Sequence, residues 1–492
     1  MAWQGPLDKI DAWRYQIPSS FASPVIREKG LRMRVPGLIF TDEAMLEAIR
    51  RDDSLFQVAN VATLPGIVEK SIAMPDIHHG YGFAIGAVAA FDGAAGVISP
   101  GGVGYDINCG VRLMRTDLHL GDVLPRIETL VDTMFANVPS GVGSSGRISL
   151  SEREVDEVLA TGARWAVSRE YGLAEDLEAM EEGGCLEESD PSVISKNAKA
   201  RGHDQLGTLG AGNHFLEIQR VDAIYEPDAA RVFGLEEVGQ IAVMIHTGSR
   251  GCGHQICTDY LESMRRASRK YGIALPDQQL MCAPVDSPEA RQYFLAMNAA
   301  ANFAWCNRQV IMHWVRESFE AVFGQPADRL GLRLVYDIAH NMAKREQHDI
   351  GGKKRWVYVH RKGATRAFGP GHRDVPEKYR AVGQPVIIPG DMGTASYLLV
   401  GTAQAMRETF GSSCHGAGRR LSRTASIKEH RAEDVIRKLR EGGIYLRAKS
   451  KRVVAEEAPG AYKSVDEVVA ISHHAGITRK VARLTPVGVV KG

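Results

Sequence analysis

Five short segments gather His, Cys, Asp and Asn among glycines: Met74–Gly82 (MPDIHHGYG), Gly104–Arg112 (GYDINCGVR), Gly210–Glu217 (GAGNHFLE), His246–His254 (HTGSRGCGH) and Asp337–Asn341 (DIAHN). Asp106 and Cys109 offer a hard oxygen and a soft thiolate three residues apart. In a loop after a strand, that spacing lets both reach one ion, and a thiolate can bridge two. His214, His246 and His340 could complete a pair of sites. Mixed O, N and S donors suit Mn, Zn, Co or Fe rather than Mg or Ca. Each segment alone also fits a hydrogen-bonded structural histidine, and Cys109 alone fits a small buried hydrophobe. The recurrence of the pattern is what argues for a binuclear centre.

The second half adds a signature for anions. Val359–Arg366 (VHRKGATR) sets three cations and a hydroxyl after a strand, with Gly363 allowing a sharp turn. Pro389–Tyr397 (PGDMGTASY) is a glycine-bounded loop, and Ser413–Arg423 (SCHGAGRRLSR) places His415 beside two glycines and then Arg419, Arg420 and Arg423. Glycines let backbone N–H groups approach an anion, and arginines take phosphate oxygens in bidentate fashion. A histidine in such a cradle is a candidate nucleophile at phosphorus. General acid, further metal ligand and structural residue are equally open readings for His415.

These residues need elements to hold them. Apolar runs rich in β-branched residues predict strands at Val111–Thr116, Gln240–Ile245, Leu332–Tyr336, Trp356–His360 and Pro385–Ile388. Helical periodicity predicts Asp42–Arg51, Leu124–Asn137, Glu152–Tyr171, Asp259–Tyr271, Glu289–Phe319 and Ser464–His473, with Ser464 and Glu467 fitting a capping box. Strands and helices mix without a βαβ rhythm, which favours α+β over a doubly wound sheet. No Pro/Gly/Ser-rich linker divides the 492 residues, and the polar motifs run from residue 76 to 491. Residues 1–492 are therefore read as a single catalytic domain.

A hydrophobic share of 44% and a charged share of 24% match an ordinary globular protein and argue against a disordered or membrane-embedded one. The net charge of +1 is segregated: residues 175–190 carry eight acidic side chains and no Lys or Arg, while Lys344–Arg366 and Arg419–Arg452 are basic. The basic stretches read either as solvated faces or as a surface for a polyanion. Seven scattered cysteines without a CxxC pattern read as reduced thiols. The N-terminus carries charges where a signal peptide needs an apolar stretch, and the longest apolar run, Phe83–Phe91, is too short to span a bilayer. The expectation is a soluble, cytoplasmic protein without a membrane partner.

Taken in order, GYDINCGVR, GAGNHFLE, HTGSRGCGH, VHRKGATRAF, MGTASY and CHGAGRRLSR closely resemble the RtcB family of RNA-splicing ligases, from about Met74 to the terminal GVVKG. The resemblance implies a family-specific α+β fold of stacked, mainly antiparallel β-sheets flanked by helices, and a site with two Mn²⁺ ions. By position, Asp106, Cys109, His214, His246 and His340 fall on the family's metal ligands, with Cys109 bridging. His415 falls on the histidine that becomes guanylylated by GTP. Asn213, Glu217, Ser396, Arg419, Tyr462 and Lys491 fall on contacts to the guanine nucleotide, and Asp76 on a further polar position near the centre. Asp391 departs from the family pattern, which has a small hydroxyl residue there. A carboxylate at that point would face phosphates, so Asp391 is left out of the expected nucleotide contacts.

The implied reaction joins an RNA 3′-phosphate, or a 2′,3′-cyclic phosphate after opening, to a 5′-hydroxyl end. It runs through histidine-bound GMP and then an RNA 3′-end capped by GMP, in tRNA splicing or RNA repair. RNA and GTP are the implied partners, with the activating protein archease used by many members, and the basic stretches become parts of an RNA track. The enzymatic alternative is a binuclear metallo-phosphodiesterase acting on RNA ends, and a catalytically silent RNA-binding scaffold is a third class.

Overall fold

The computed structural model describes residues 2–492. A larger sheet runs in the order Arg333–Ala339, Gly110–His119, Gln240–Thr247, Phe215–Ile224, Thr478–Lys491, Ser396–Gly401 and Pro385–Ile388, with Tyr445–Ala448 added beside Thr478–Lys491. The second sheet runs Asp8–Lys9, Arg14–Ile17, Gly37–Phe40, Ile67–His78, Ile85–Asp92, Lys353–Lys362 and Asn341–Ile350. Pairing is antiparallel except where Gly37–Phe40 meets Ile67–His78 and where Tyr445–Ala448 meets Thr478–Lys491. The α+β expectation holds. All five predicted strands are present, and most extend past the apolar run that announced them.

The helix Pro288–Phe323 is buried along most of its length and carries polar residues into the core, among them Asn302, Asn307, Arg308 and Gln309. Their partners are the backbones of loops. Arg308 Nη1 donates to Asn108 O at 2.8 Å and Thr247 O at 2.9 Å, and Asn307 Nδ2 donates to Thr208 O and Gly248 O. One helix thus braces the segments carrying Cys109, His214 and His246. The Arg308 Nε and Nη2 groups bind Asp337, whose second partner is Arg112 at 2.7 Å, and all three side chains are fully buried. Asp337, one of the polar residues singled out in the sequence, is therefore a structural counter-ion between two arginines. Replacing it with Asn strands two buried cations, which costs roughly 3–5 kcal/mol. A fall of that size in unfolding free energy is expected from denaturant titration of Asp337→Asn.

The basic stretch Lys344–Arg366 differs from both of its sequence readings. Lys344, Arg361, Lys362 and Arg366 are buried, while Arg345 and the hairpin-tip residues Lys353, Lys354 and Arg355 are exposed. Lys344 pairs with Glu181 at 2.6 Å and Glu182 at 2.9 Å, Arg366 pairs with Glu182 at 2.7 Å, and Arg361 forms a fork with Glu346. Asp176, from the same acidic segment, takes Arg316. Glu181 and Glu182 of the acidic run thus neutralise Lys344 and Arg366 of the basic run inside the fold, because a buried charge needs a partner. Only the exposed hairpin tip remains for a solvated face or for RNA.

Helix boundaries moved where glycine decides them. Glu152–Tyr171 is two helices, Glu152–Thr161 and Ala163–Ser168, because Gly162 sits at φ +58°. The helix expected from Asp259 begins at Arg250 and runs to Lys270. Ser464 Oγ accepts from the Glu467 N–H, the serine half of the expected capping box. Among the described residues no helix is long and apolar enough to cross a membrane, and all seven cysteines are free and buried.

Candidate active site

The segments singled out in the sequence sit at strand ends and converge. Cys109 precedes strand Gly110–His119, His214 precedes Phe215–Ile224, His246 lies near the end of Gln240–Thr247, and His340 follows Arg333–Ala339. These strands are neighbours in the larger sheet, with Val111 and Phe215 both in register with His246. Asn108 reaches its φ of +50° with its side chain tied to Ala301 O, which turns the Asp106–Cys109 loop toward the sheet edge. Gly248 is required beside it, since a Cβ there would overlap the Asp106 carboxylate.

Two donor groups result, Cys109–His246–His340 and Asp106–Cys109–His214, and Cys109 belongs to both. Cys109 Sγ lies 3.3 Å from His246 Nε2 and 3.5 Å from His214 Nε2, and the Nε2 atoms of His246 and His340 are 3.3 Å apart. Donors bound at roughly 2.0–2.3 Å to one tetrahedral ion stand about 3.3–3.8 Å from each other. The spacing and the N/O/S chemistry therefore fit transition-metal ions, with the shared thiolate between the two groups. Burial, and then the Asp106 carboxylate, push the Cys109 thiol well up, while burial pushes His246 and His340 well down. The imidazoles are thus neutral, as ligands must be. Desolvation opposes ionisation of Asp106, but the His214 ring 2.8 Å away, together with Cys109 and Arg250, holds the carboxyl at about 2.

His415 is the next ring along, its centroid 5.0 Å from that of His340. It follows the short strand Ser412–Cys414. Its Nδ1 lies 2.6 Å from Asp76 Oδ2, and the same oxygen accepts from the His415 N–H at 3.0 Å and the Gly416 N–H at 3.3 Å. A carboxylate only accepts, so Nδ1 carries the proton and the lone pair is left on Nε2. Gly418, at φ +74°, permits the close approach, because a Cβ there would overlap the Asp76 carbonyl. The sequence alone assigns Asp76 no task beyond proximity to the centre.

A cavity of about 390 Å³ joins His415 to the donor cluster and is lined also by Asn213, Arg419, Tyr462, Lys491, Lys362 and Asp391. Of the residues expected to contact nucleotide, Glu217 and Ser396 do not line it. They are linked through Gln219, whose Nε2 donates to Glu217 Oε2 at 2.8 Å and Ser396 Oγ at 3.0 Å. Glu217 Oε1 is buried without a partner among the described residues, and burial raises the carboxyl to about 8. Arg419 does not present a free fork. It donates to Glu457 and the Tyr462 hydroxyl, both at 3.1 Å, and to the carbonyls of Leu421 and Glu456. Lys362 is held by the carbonyls of Tyr81 and Gly101, and burial lowers it to about 7. Asp391 does reach the cavity wall, but its Oδ1 accepts from the Gly393 N–H at 2.9 Å and burial raises its pKa. A second, open cavity of about 840 Å³ shares Tyr105, Asp106, Asn213 and Arg423 with the first. Arg201, Arg250, Lys449 and Arg452 add positive charge around it.

The family model described as tRNA-splicing ligase RtcB matches residues 57–492. A protein of that name from Thermococcus kodakarensis is 58% identical, covering 99% of this chain and 99% of its own length. Namesakes from Archaeoglobus fulgidus and Methanococcus maripaludis are 55% and 54% identical, over 100% and 98% of this chain and 100% and 99% of their own lengths.

Proposed function

This chain belongs to the tRNA-splicing ligase RtcB family and is an RNA ligase, and on that premise we propose that it joins RNA 3′-phosphate to 5′-hydroxyl ends through GMP carried on His415. The observation that supports this most is the pairing of His415 Nδ1 with Asp76 at 2.6 Å, which leaves Nε2 as a nucleophile in a cavity shared with the metal-donor cluster.

In this reading Asp106, Cys109, His214, His246 and His340 would hold two Mn²⁺ ions. Bound there, the ions supply Lewis acidity that offsets charge on phosphate oxygens. His415 Nε2 attacks the α-phosphorus of GTP, an N–P bond forms, and pyrophosphate leaves with the electrons of the broken P–O bond. Asp76 keeps the Nδ1 proton in place and stabilises the positive charge that develops on the ring. An oxygen of the RNA 3′-phosphate then attacks the same phosphorus and releases neutral His415. The 5′-hydroxyl of the second end finally attacks the RNA phosphorus, loses its proton, and expels GMP. A 2′,3′-cyclic end is first opened by water to a 3′-phosphate.

Asn213, Glu217, Ser396, Arg419, Tyr462 and Lys491 form the nucleotide site in this proposal. Glu217 is suited to accept from N–H groups of guanine, because its unpartnered Oε1 lacks a donor. The basic cavity carries RNA phosphates, including the Arg423, Lys449 and Arg452 part of the basic stretch. Residues 1–492 act as one catalytic domain, since the residues that build the site run from Asp76 to Lys491. An archease-type activator completes the list of partners. Seven unpaired thiols support a reducing, cytoplasmic setting.

The test is end-joining. With Mn²⁺ and GTP, the protein is expected to convert a 3′-phosphate RNA and a 5′-hydroxyl RNA into one strand, with a marked loss of rate as salt rises. A binuclear phosphodiesterase would instead trim or dephosphorylate the ends, need no GTP, and yield no longer product.

A further inference from the structure

The strand that delivers Asp76 is irregular where it matters. Ile67–His78 pairs with Gly37–Phe40 only as far as Ala73, and its register with Ile85–Asp92 breaks between Ala73 and His78. Residues 74–77 therefore have no register partner on either side. Something other than the sheet must fix Asp76, whose carboxylate serves three donors on the His415 loop.

Lys463 meets that need. Its ammonium donates to the carbonyls on both sides of Asp76, to Ile77 O at 2.5 Å and Pro75 O at 3.3 Å. Its backbone N–H donates to Gly418 O at 2.9 Å, on the loop that carries His415. One half-buried residue thus ties the irregular strand segment to the nucleophile's loop. It also immediately follows Tyr462 on the cavity wall.

We infer that Lys463 is a positioning residue for guanylylation, holding the Asp76 segment so that its carboxylate meets His415 Nδ1 and Nε2 points into the cavity. The inference rests on the reading of His415 as nucleophile. Lys463 touches neither the donor cluster nor the nucleotide in this role, so its contribution falls on the chemical step. A misplacement of the order of 1 Å costs up to about a hundredfold in rate.

The test compares wild type, Lys463→Met, Lys463→Arg, Asp76→Asn and the Lys463→Met/Asp76→Asn double variant, each loaded with Mn²⁺. Covalent labelling by α-labelled GTP is followed over a range of GTP concentrations. For Lys463→Met a roughly ten- to hundredfold drop in the saturating rate is expected, with the GTP concentration for half-maximal rate within about twofold and metal content unchanged. Lys463→Arg, which keeps a cationic donor, should recover most of the rate. In the Asp76→Asn background the Met substitution should add little, because the two act through one contact. Should Lys463→Met fail to fold, Lys463→Gln takes its place in the same cycle. Wild-type labelling rates in Lys463→Met or in its Gln substitute, or losses that multiply in the double variant, overturn the inference. If the wild type itself takes no label, the reading of His415 falls and the inference falls with it.

Discussion

Replacing His415 with alanine will leave a folded, metal-loaded protein that acquires no covalent GMP and joins no RNA ends. The side chain is only partly buried and its contacts are few: Asp76 through Nδ1 and the edge of the His340 ring. Its removal opens space beside a cavity that already exists, so the fold loses little. On the proposed reading the reaction loses its nucleophile entirely. Removing the nucleophile of an enzyme that works through a covalent intermediate lowers turnover by roughly a millionfold, which places joining below detection. Labelling by α-labelled GTP and gel assay of RNA joining are the two readouts, and both should vanish together. Retained joining without label would mean that the 5′-hydroxyl is activated by another route.

The second large effect is expected at Cys109. Its sulfur is the one donor common to both groups, 3.3 Å from His246 Nε2 and 3.5 Å from His214 Nε2. Cys109→Ala removes the donor that both groups share, leaving His246 with His340 and Asp106 with His214 as two incomplete sets. Metal content measured after dialysis should fall from about two ions per chain to one or none. Ligation should drop by more than the 10–100-fold typical of outer-shell partners. The cost to folding is small, about 1 kcal/mol for one buried sulfur, and a thermal melt of the metal-free protein checks this. Full metal occupancy with ligation unchanged would remove Cys109 from the centre.

The donor residues could be read from the sequence because each sits in a loop at a strand end, where glycines and short polar residues have no packing task to explain them. Asp106, Cys109, His214, His246, His340 and His415 do lie together, and their convergence follows from neighbouring strands in one sheet. Partners far apart in sequence were not legible. Arg308 and Asn307 lie inside a long helix whose periodicity reads as ordinary, and only folding brings them against the loops of Cys109 and His246. The same holds for Lys344 and Arg366, taken as part of a basic surface, whose carboxylates lie more than 150 residues upstream. Local pattern reports the face on which a residue lies, but not what comes to meet it. Arg419 shows a related limit: its type suits a phosphate, while the structure spends its donors on Glu457, Tyr462 and two carbonyls. Gly162 broke a helix whose flanking residues all favour one, because its carbonyl-crowded site admits no side chain.

Nε2 of His415 is proposed here as the atom that takes up GMP. The direct measurement is to incubate the purified protein with Mn²⁺ and α-labelled GTP, digest it, and locate the modified residue by mass spectrometry. One GMP per chain is expected, in an acid-labile, hydroxylamine-sensitive phosphoramidate on the peptide containing residue 415. A label on another residue, or a metal-loaded protein that takes none, would contradict it.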